Sequence, residues 1–295
     1  MKPPPFDYHD PTTLDEALIL LAEHQHDAAV LAGGQSLVPL MNARKVTPQQ
    51  VIDLNGVAEL FSLRRSPTRL WIGAMTRQSE IERSSDVEVH WPLLHEAVRW
   101  VAHPQIRSRG TVGGSVMNAD PTSEIPAALL ALDARFEVRS VRGTHTLGPE
   151  NFFPQAGGTA LAPDELLVGI EVPQLPPRTG TAFLEYSRRH RHRSIGGAAV
   201  ALSLDATGIC RHAAVALLGA AAGPRRSEQA ESVLTGATVT TRTARAAARA
   251  ATTGITPPHD MHGSAEYRTS LIETLLRRAI VRAAERAEQA EGIAA

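Results

Sequence analysis

Ala28-Ala29-Val30-Leu31-Ala32-Gly33-Gly34-Gln35-Ser36-Leu37 is a short apolar run that ends in a glycine pair followed by a hydroxyl residue. The run reads as a buried strand delivering a tight turn. Without β-carbons, the glycines let backbone N–H groups come close to an anion, and Ser36 adds a hydroxyl donor at the same height. A related stretch recurs at Thr111-Val112-Gly113-Gly114-Ser115-Val116 and runs into Asn118-Ala119-Asp120-Pro121. A lone glycine pair more often marks only a permissive turn. Two in series, each behind an apolar segment, point to a large phosphate-bearing cofactor gripped at its pyrophosphate from both sides.

Working outward, Thr13-Leu14-Asp15-Glu16 has the form of a capping box, and Leu14, Ala17, Leu18, Leu21 and Ala22 follow at helical spacing. A short helix is expected over Pro39 to Arg44, and Val51-Ile52-Asp53-Leu54 reads as a second strand closed by Asn55-Gly56. Residues 1–57 therefore read as a small βα-type unit. Leu60-Phe61 and Leu70-Trp71-Ile72-Gly73 suggest a hairpin, and Gln78 to Arg83, Trp91 to Val101 and Ile125 to Leu132 read as helices, with Pro126 tolerated in a first turn. Phe136 to Val141 alternates as a half-buried strand. Leu166 to Val172 is another strand, stopped by Pro173 and Pro176-Pro177, which sets a boundary for residues 58–176. Residues 177–295 read as a three-stranded sheet with Ala/Arg-rich helices, the last capped by Ser264.

Of 295 residues, 43% are hydrophobic and 21% charged, which suits an ordinary globular protein with two or three subdomains. A net charge of −1 gives no global attraction to nucleic acid or to an anionic membrane. Lys2 and Lys45 are the only lysines, and neither follows a Gly-rich loop as Walker-type triphosphate hydrolysis requires. Cys210 is the only cysteine, so the chain by itself ligates no iron–sulfur cluster and no thiolate zinc. The start of the chain lacks a signal-peptide core and no long apolar stretch occurs, so a cytoplasmic location and no integral membrane segment are expected.

With both glycine pairs in view, the chain resembles the FAD-binding medium subunit of the molybdenum hydroxylases, the group that includes xanthine and carbon monoxide dehydrogenases. The resemblance covers nearly the whole chain. It rests on Ala32 to Pro39, His103-Pro104-Gln105-Ile106-Arg107 leading to Thr111 to Ser115, Asn118 to Pro121, and Ser264-Ala265-Glu266-Tyr267-Arg268. It implies an α+β fold: two α/β FAD-binding subdomains of the vanillyl-alcohol-oxidase (PCMH) type, then a C-terminal sheet with a helix bundle. It also implies that Ala32, Gly33, Gly34, Gln35, Ser36 and Leu37, with Ile106, Thr111, Gly113, Gly114, Ser115 and Asn118, contact FAD along its diphosphate and ribityl chain. Asp120 would bind polar FAD atoms, and Leu167 would be an apolar neighbour. The task implied is electron transfer from a cluster-bearing small subunit, in a complex whose large subunit carries molybdenum, through FAD to an external acceptor. This chain would contribute no catalytic residue and no metal ligand.

The chain departs from relatives at Arg191-His192-Arg193-Ser194, where they carry a Gly-Asp-Tyr/Phe-Ala stretch, and at Glu185, where a lysine is common. Arg193 stands where a guanidinium could stack on the flavin, and Ile195 where an apolar contact is expected. The same departure motivates a second reading, a stand-alone FAD-dependent oxidoreductase acting directly on a small molecule. As a nucleic-acid patch the basic run lacks interleaved aromatics. His190 and His192 lack a third ligand and sit among arginines, so no metal is expected there. His259 and His262 read as loop and capping residues, His103 as a satisfied imidazole, and Cys210 as structural.

Overall fold

The computed structural model describes residues 2–154, 156–189 and 192–290. Its mixed helices and sheets follow the α+β plan expected from the sequence. The first unit is β1 (Asp7–His9), α1 (Leu14–His24), β2 (Ala28–Leu31), α2 (Leu37–Asn42) and β3 (Gln50–Asp53). Its three strands are parallel in the order β1-β3-β2. The capping box forms as expected: Thr13 accepts from the Glu16 N–H while the Glu16 carboxylate accepts from the Thr13 N–H. Leu14, Ala17, Leu18 and Leu21 lie along one face of α1 and pack with Ile52 and Leu54.

The second unit runs β4 (Leu63–Arg65), β5 (Arg69–Gly73), α3 (Gln78–Arg83), α4 (Ser85–His90), α5 (Pro92–Trp100), α6 (Pro104–Arg107), α7 (Val112–Asn118), α8 (Glu124–Ala131), β6 (Arg135–Ser140), β7 (Gly143–Leu147), α9 (Pro149–Phe152) and β8 (Leu166–Pro173). Its sheet is antiparallel in the order β4-β5-β8-β6-β7. The near-continuous apolar run of β8 serves two neighbours. Leu166 and Val168 join the core of the first unit, whereas Leu167, Ile170 and Val172 join that of the second. The second glycine pair, expected in a loop, lies instead in the first turn of α7, because Thr111 caps a helix that begins directly after it.

The last unit comprises β9 (Thr179–Tyr186), β10 (Gly196–Leu204), β11 (Cys210–Leu218), β12 (Arg225–Arg226), α10 (Glu228–Leu234), α11 (Thr241–Thr252) and α12 (Ala265–Gln289). Three long strands match the expectation, but the two-residue β12 adds a fourth at the edge, order β12-β11-β10-β9. Every residue of β10 is buried, because α5 and α8 cover one face of this sheet and α12 the other. Small residues such as Ala198 and Ala199 allow that double covering. Ser264 caps α12 by accepting from the Tyr267 N–H. Cys210 opens β11 fully buried, and burial pushes its thiol up to about 11, so it is structural rather than reactive.

Candidate functional site

A cleft of about 440 Å³ opens between the β2–α2 turn and α7, with β8 as its floor. Most of the residues expected from the sequence line it: Ala32, Gly33, Gly34, Gln35, Ser36 and Leu37 on one side, Ile106, Thr111, Gly113, Gly114, Ser115 and Asn118 on the other, and Leu167 below. The two sides touch. A β-carbon on Gly33 would lie 2.5 Å from the Arg109 carbonyl oxygen and 2.8 Å from the Gly110 Cα, so only glycine lets the walls meet. Gly34 carries a positive φ of 72°, which turns the chain into α2.

The two walls differ in how their N–H groups are used. On the α7 side, Val112 donates to the Thr76 carbonyl (2.9 Å), Gly113 to the Ala74 carbonyl (2.8 Å), Gly114 to the Thr111 hydroxyl (3.0 Å) and Ser115 to the Thr111 carbonyl (3.2 Å). On the other side, no acceptor among the described residues takes the N–H groups of Gly34, Gln35, Ser36 or Leu37. The Ser36 and Ser115 hydroxyls and the Asn118 amide likewise have no protein partner among the described residues. Gly34 and Leu37 are half-buried and Gln35 and Ser36 exposed, so this row of N–H groups is open to an acceptor from outside the chain.

A network absent from the sequence reading locks the walls together. Arg77 donates to the Asn55 side-chain oxygen (2.6 Å) and to the Arg109 carbonyl (2.6 Å), and Asn55 donates to the Ala32 carbonyl (3.0 Å). Arg77 also lies 5.3 Å above the Phe61 ring. Desolvation first, and then the nearby Arg109 charge, lower its pKa. Gln78 backs the same wall: its N–H donates to the Gly110 carbonyl (2.9 Å), while its side-chain oxygen is buried without a partner. Asn55 follows β3, whereas Arg77 and Gln78 stand at the start of α3, in no recognisable pattern, so only their proximity in the fold reveals them.

Among the described residues no arginine or lysine lines the cleft, and the charged ones that do are Glu124 and Glu165. An anion there is held by N–H and hydroxyl dipoles, with the N-terminal end of α7 adding a favourable field. Free N–H groups, free hydroxyls and a turn with room only for glycine suit the diphosphate of a dinucleotide. The volume falls within the ordinary range of cofactor clefts.

Three expected residues lie elsewhere. Arg193 and Ile195 line a neighbouring cavity of about 550 Å³ together with Arg188, Arg189, His192 and Arg268. Asp120 borders it, accepting from the Thr122 N–H (2.8 Å) and pairing with Arg193 (2.9 Å). The Arg193 guanidinium is thus engaged by Asp120 and by the Thr122 hydroxyl (3.1 Å). His190, where no metal was expected, and Arg191, part of the changed flavin-facing stretch, lie outside the described residues. His103 stands edge-on to His192 at 6.2 Å. The His262 N–H is held by Asp260 in the loop before α12, and among the described residues no group of three or more metal-ligating side chains exists.

Glu124 at the start of α8 and Glu185 on β9 were not expected as a pair. Both are 8% exposed. Burial pushes Glu124 up to about 7, and burial together with the Glu124 charge pushes Glu185 up to about 9.

Comparison with known proteins gives matches along the chain. The profile described as the FAD binding domain in molybdopterin dehydrogenase matches residues 4–175, and that of the CO dehydrogenase flavoprotein C-terminal domain matches residues 181–283. The chain is 42% identical to the 6-hydroxypseudooxynicotine dehydrogenase complex subunit alpha of Paenarthrobacter nicotinovorans, covering 97% of each. It is 35% identical to the carbon monoxide dehydrogenase medium chain of Afipia carboxidovorans, over 98% of this chain and 100% of that one. A chain of carbon monoxide dehydrogenase from Hydrogenophaga pseudoflava superposes with a TM-score of 0.94 at 36% identity, over 97% of this chain and 99% of that one.

Proposed function

This chain belongs to the family of FAD-binding medium subunits of the molybdenum hydroxylases, and on that premise we propose that its cleft holds one FAD, with the diphosphate against the Gly33–Leu37 turn and α7. It is the flavin-bearing subunit of a multi-subunit oxidoreductase, and substrate chemistry takes place in another chain. The observation that carries the assignment of the site is the row of N–H groups from Gly34 to Leu37, unpaired among the described residues, in a cleft that no described arginine or lysine lines. In this reading residues 1–57 and 58–176 clasp the cofactor between them.

Bound FAD supplies reversible redox chemistry between unlike donors and acceptors. The protein's own residues position it. Gly34, Gln35, Ser36 and Leu37 offer N–H groups to the diphosphate, and Ser115 and Asn118 offer polar side chains to the ribityl chain. Leu167 and Ile106 exclude water from the cleft. Arg77 and Asn55 keep the walls at a fixed separation. Electrons arrive from an iron–sulfur small subunit in a complex with a molybdenum-binding large subunit, which fits a chain with one buried cysteine.

Two experiments test this. Protein purified with added FAD is expected to be yellow and to release flavin on denaturation, and a colourless product would overturn the cofactor assignment. Isolation from the native host is expected to bring down a cysteine-rich small subunit and a large molybdenum-containing one. Recovery of a catalytically active homo-oligomer alone would overturn the heteromeric reading.

A further inference from the structure

The buried carboxyls of Glu124 and Glu185 have no part in holding the diphosphate. Glu124 lines the cleft at the N-terminus of α8. Along β9 the alternation of side chains places Phe183 in the core built by α5 and α8, whereas Ala182 and Leu184 pack toward α12. Glu185 therefore shares the Phe183 face. Neither carboxyl oxygen of Glu185 has a hydrogen-bond partner.

The surroundings offer the pair no counter-ion among the described residues. Strand β10 carries no ionisable side chain between Gly196 and Leu204. On α5, Glu96 is occupied with Arg286 of α12 (2.6 Å) and with the Phe183 N–H (3.3 Å). On α12, Arg268 is bound to the Ile195 carbonyl and to Asp260. Asp120, whose charge bears on Glu124, is paired with Arg193. Two buried carboxyls without a counter-ion, that of Glu185 also without any hydrogen-bond partner, cannot both stay ionised, and the low-cost arrangement keeps each of them protonated.

We propose that Glu124 and Glu185 form a proton-holding pair in the wall of the cleft, which gives up a proton toward the bound cofactor as electrons arrive and takes it back as they leave. The proposal rests on the cleft holding FAD. Two electrons come from the donor subunit, one proton leaves the Glu124 carboxyl toward the cleft, and the carboxylate left behind is tolerated because Glu185 keeps its own proton. When the electrons pass to the acceptor the same proton returns to Glu124, so no further reactant is needed. Glu185 does not touch the cleft and acts through Glu124 as a positioning residue.

The test has one arm without flavin and one with it. In the full-length apo-protein, infrared spectroscopy is expected to show a protonated-carboxyl stretch that persists at neutral pH and fades only in alkali. Glu185→Gln and Glu124→Gln should each remove part of it. In the FAD-loaded protein, the midpoint potential plotted against pH should bend where the pair titrates, and Glu185→Gln should remove the bend while leaving FAD affinity within about twofold. Wild-type spectra with both carboxyls ionised at neutral pH would overturn the proposal, as would a potential profile unchanged in both variants. Failure to bind FAD at all would instead overturn the cofactor assignment, while the apo-protein spectra would still decide whether a proton is held.

Discussion

The two glycine pairs look alike in sequence and do different work. At Gly33-Gly34 the absence of side chains lets the loop lie against Arg109 and Gly110 while its following N–H groups find no acceptor among the described residues. At Gly113-Gly114 the N–H groups are already used, and a β-carbon on Gly113 would lie 2.6 Å from the Ala74 carbonyl oxygen. The first pair leaves donors free for a ligand, and the second packs a helix onto a strand end so that the opposite wall stands at the right place. The same dipeptide thus serves recognition in one wall and packing in the other.

Substitutions can break or sharpen this contrast. The largest effect is expected from Gly33→Ala, where overpacking against backbone forces the walls apart. FAD affinity should fall by about a hundredfold, near 3 kcal/mol, in a fluorescence titration. Unchanged binding would show that the walls need not touch. Gly113→Ala should instead act on stability, lowering the melting temperature of the apo-protein by an amount equivalent to about 1–3 kcal/mol. A normal melt with lost FAD affinity would reverse the roles assigned to the two pairs.

On β9, the Glu185 carboxyl is held protonated by burial, its value raised from the ordinary carboxylate range to about 9. Its stabilising contribution is therefore complete at acid pH, below the unfolded value, and is lost as pH rises through about 9. Glu185→Gln should remove that loss, so the variant should be more stable than wild type in alkali by about 1–3 kcal/mol, read from denaturant melts across pH. Parallel stability curves for the two proteins would show that the carboxyl is not buried in the way described.

Thr111→Ala should lower the apo-protein's stability by about 1 kcal/mol through loss of the α7 cap, with a smaller change in affinity. Ser36 makes no capping bond, so Ser36→Ala should leave the melt unchanged and weaken FAD binding by roughly three- to tenfold, the worth of one hydrogen bond. Equal effects of these two substitutions on the melt would erase the distinction between the walls.

Much of the fold was legible because its signals are local. The Thr13–Glu16 box, the Ser264 cap and the apolar runs of β2, β8 and β10 are written in consecutive residues. The two-residue β12 was not, since Arg225-Arg226 gains its strand conformation by pairing with Ala216 and Leu217 rather than from any preference of its own. At the site, the motif residues from Ala32 to Leu37 and Thr111, Gly113, Gly114 and Ser115 lie together in the cleft. Arg77, Asn55 and Gln78 were illegible because their importance comes from what lies beside them in space.

The sequence by itself determined where backbone could come close to a ligand, how the helices start, and that no cluster could be ligated by this chain, because each of these depends on residue type at neighbouring positions. Only the tertiary structure decided which glycine pair keeps its N–H groups free, that Asp120 is taken up by Arg193, and that Glu124 and Glu185 are both buried. Hydrogen-bond saturation and desolvation depend on which distant segments a residue meets, and those meetings are set by packing, not by order along the chain.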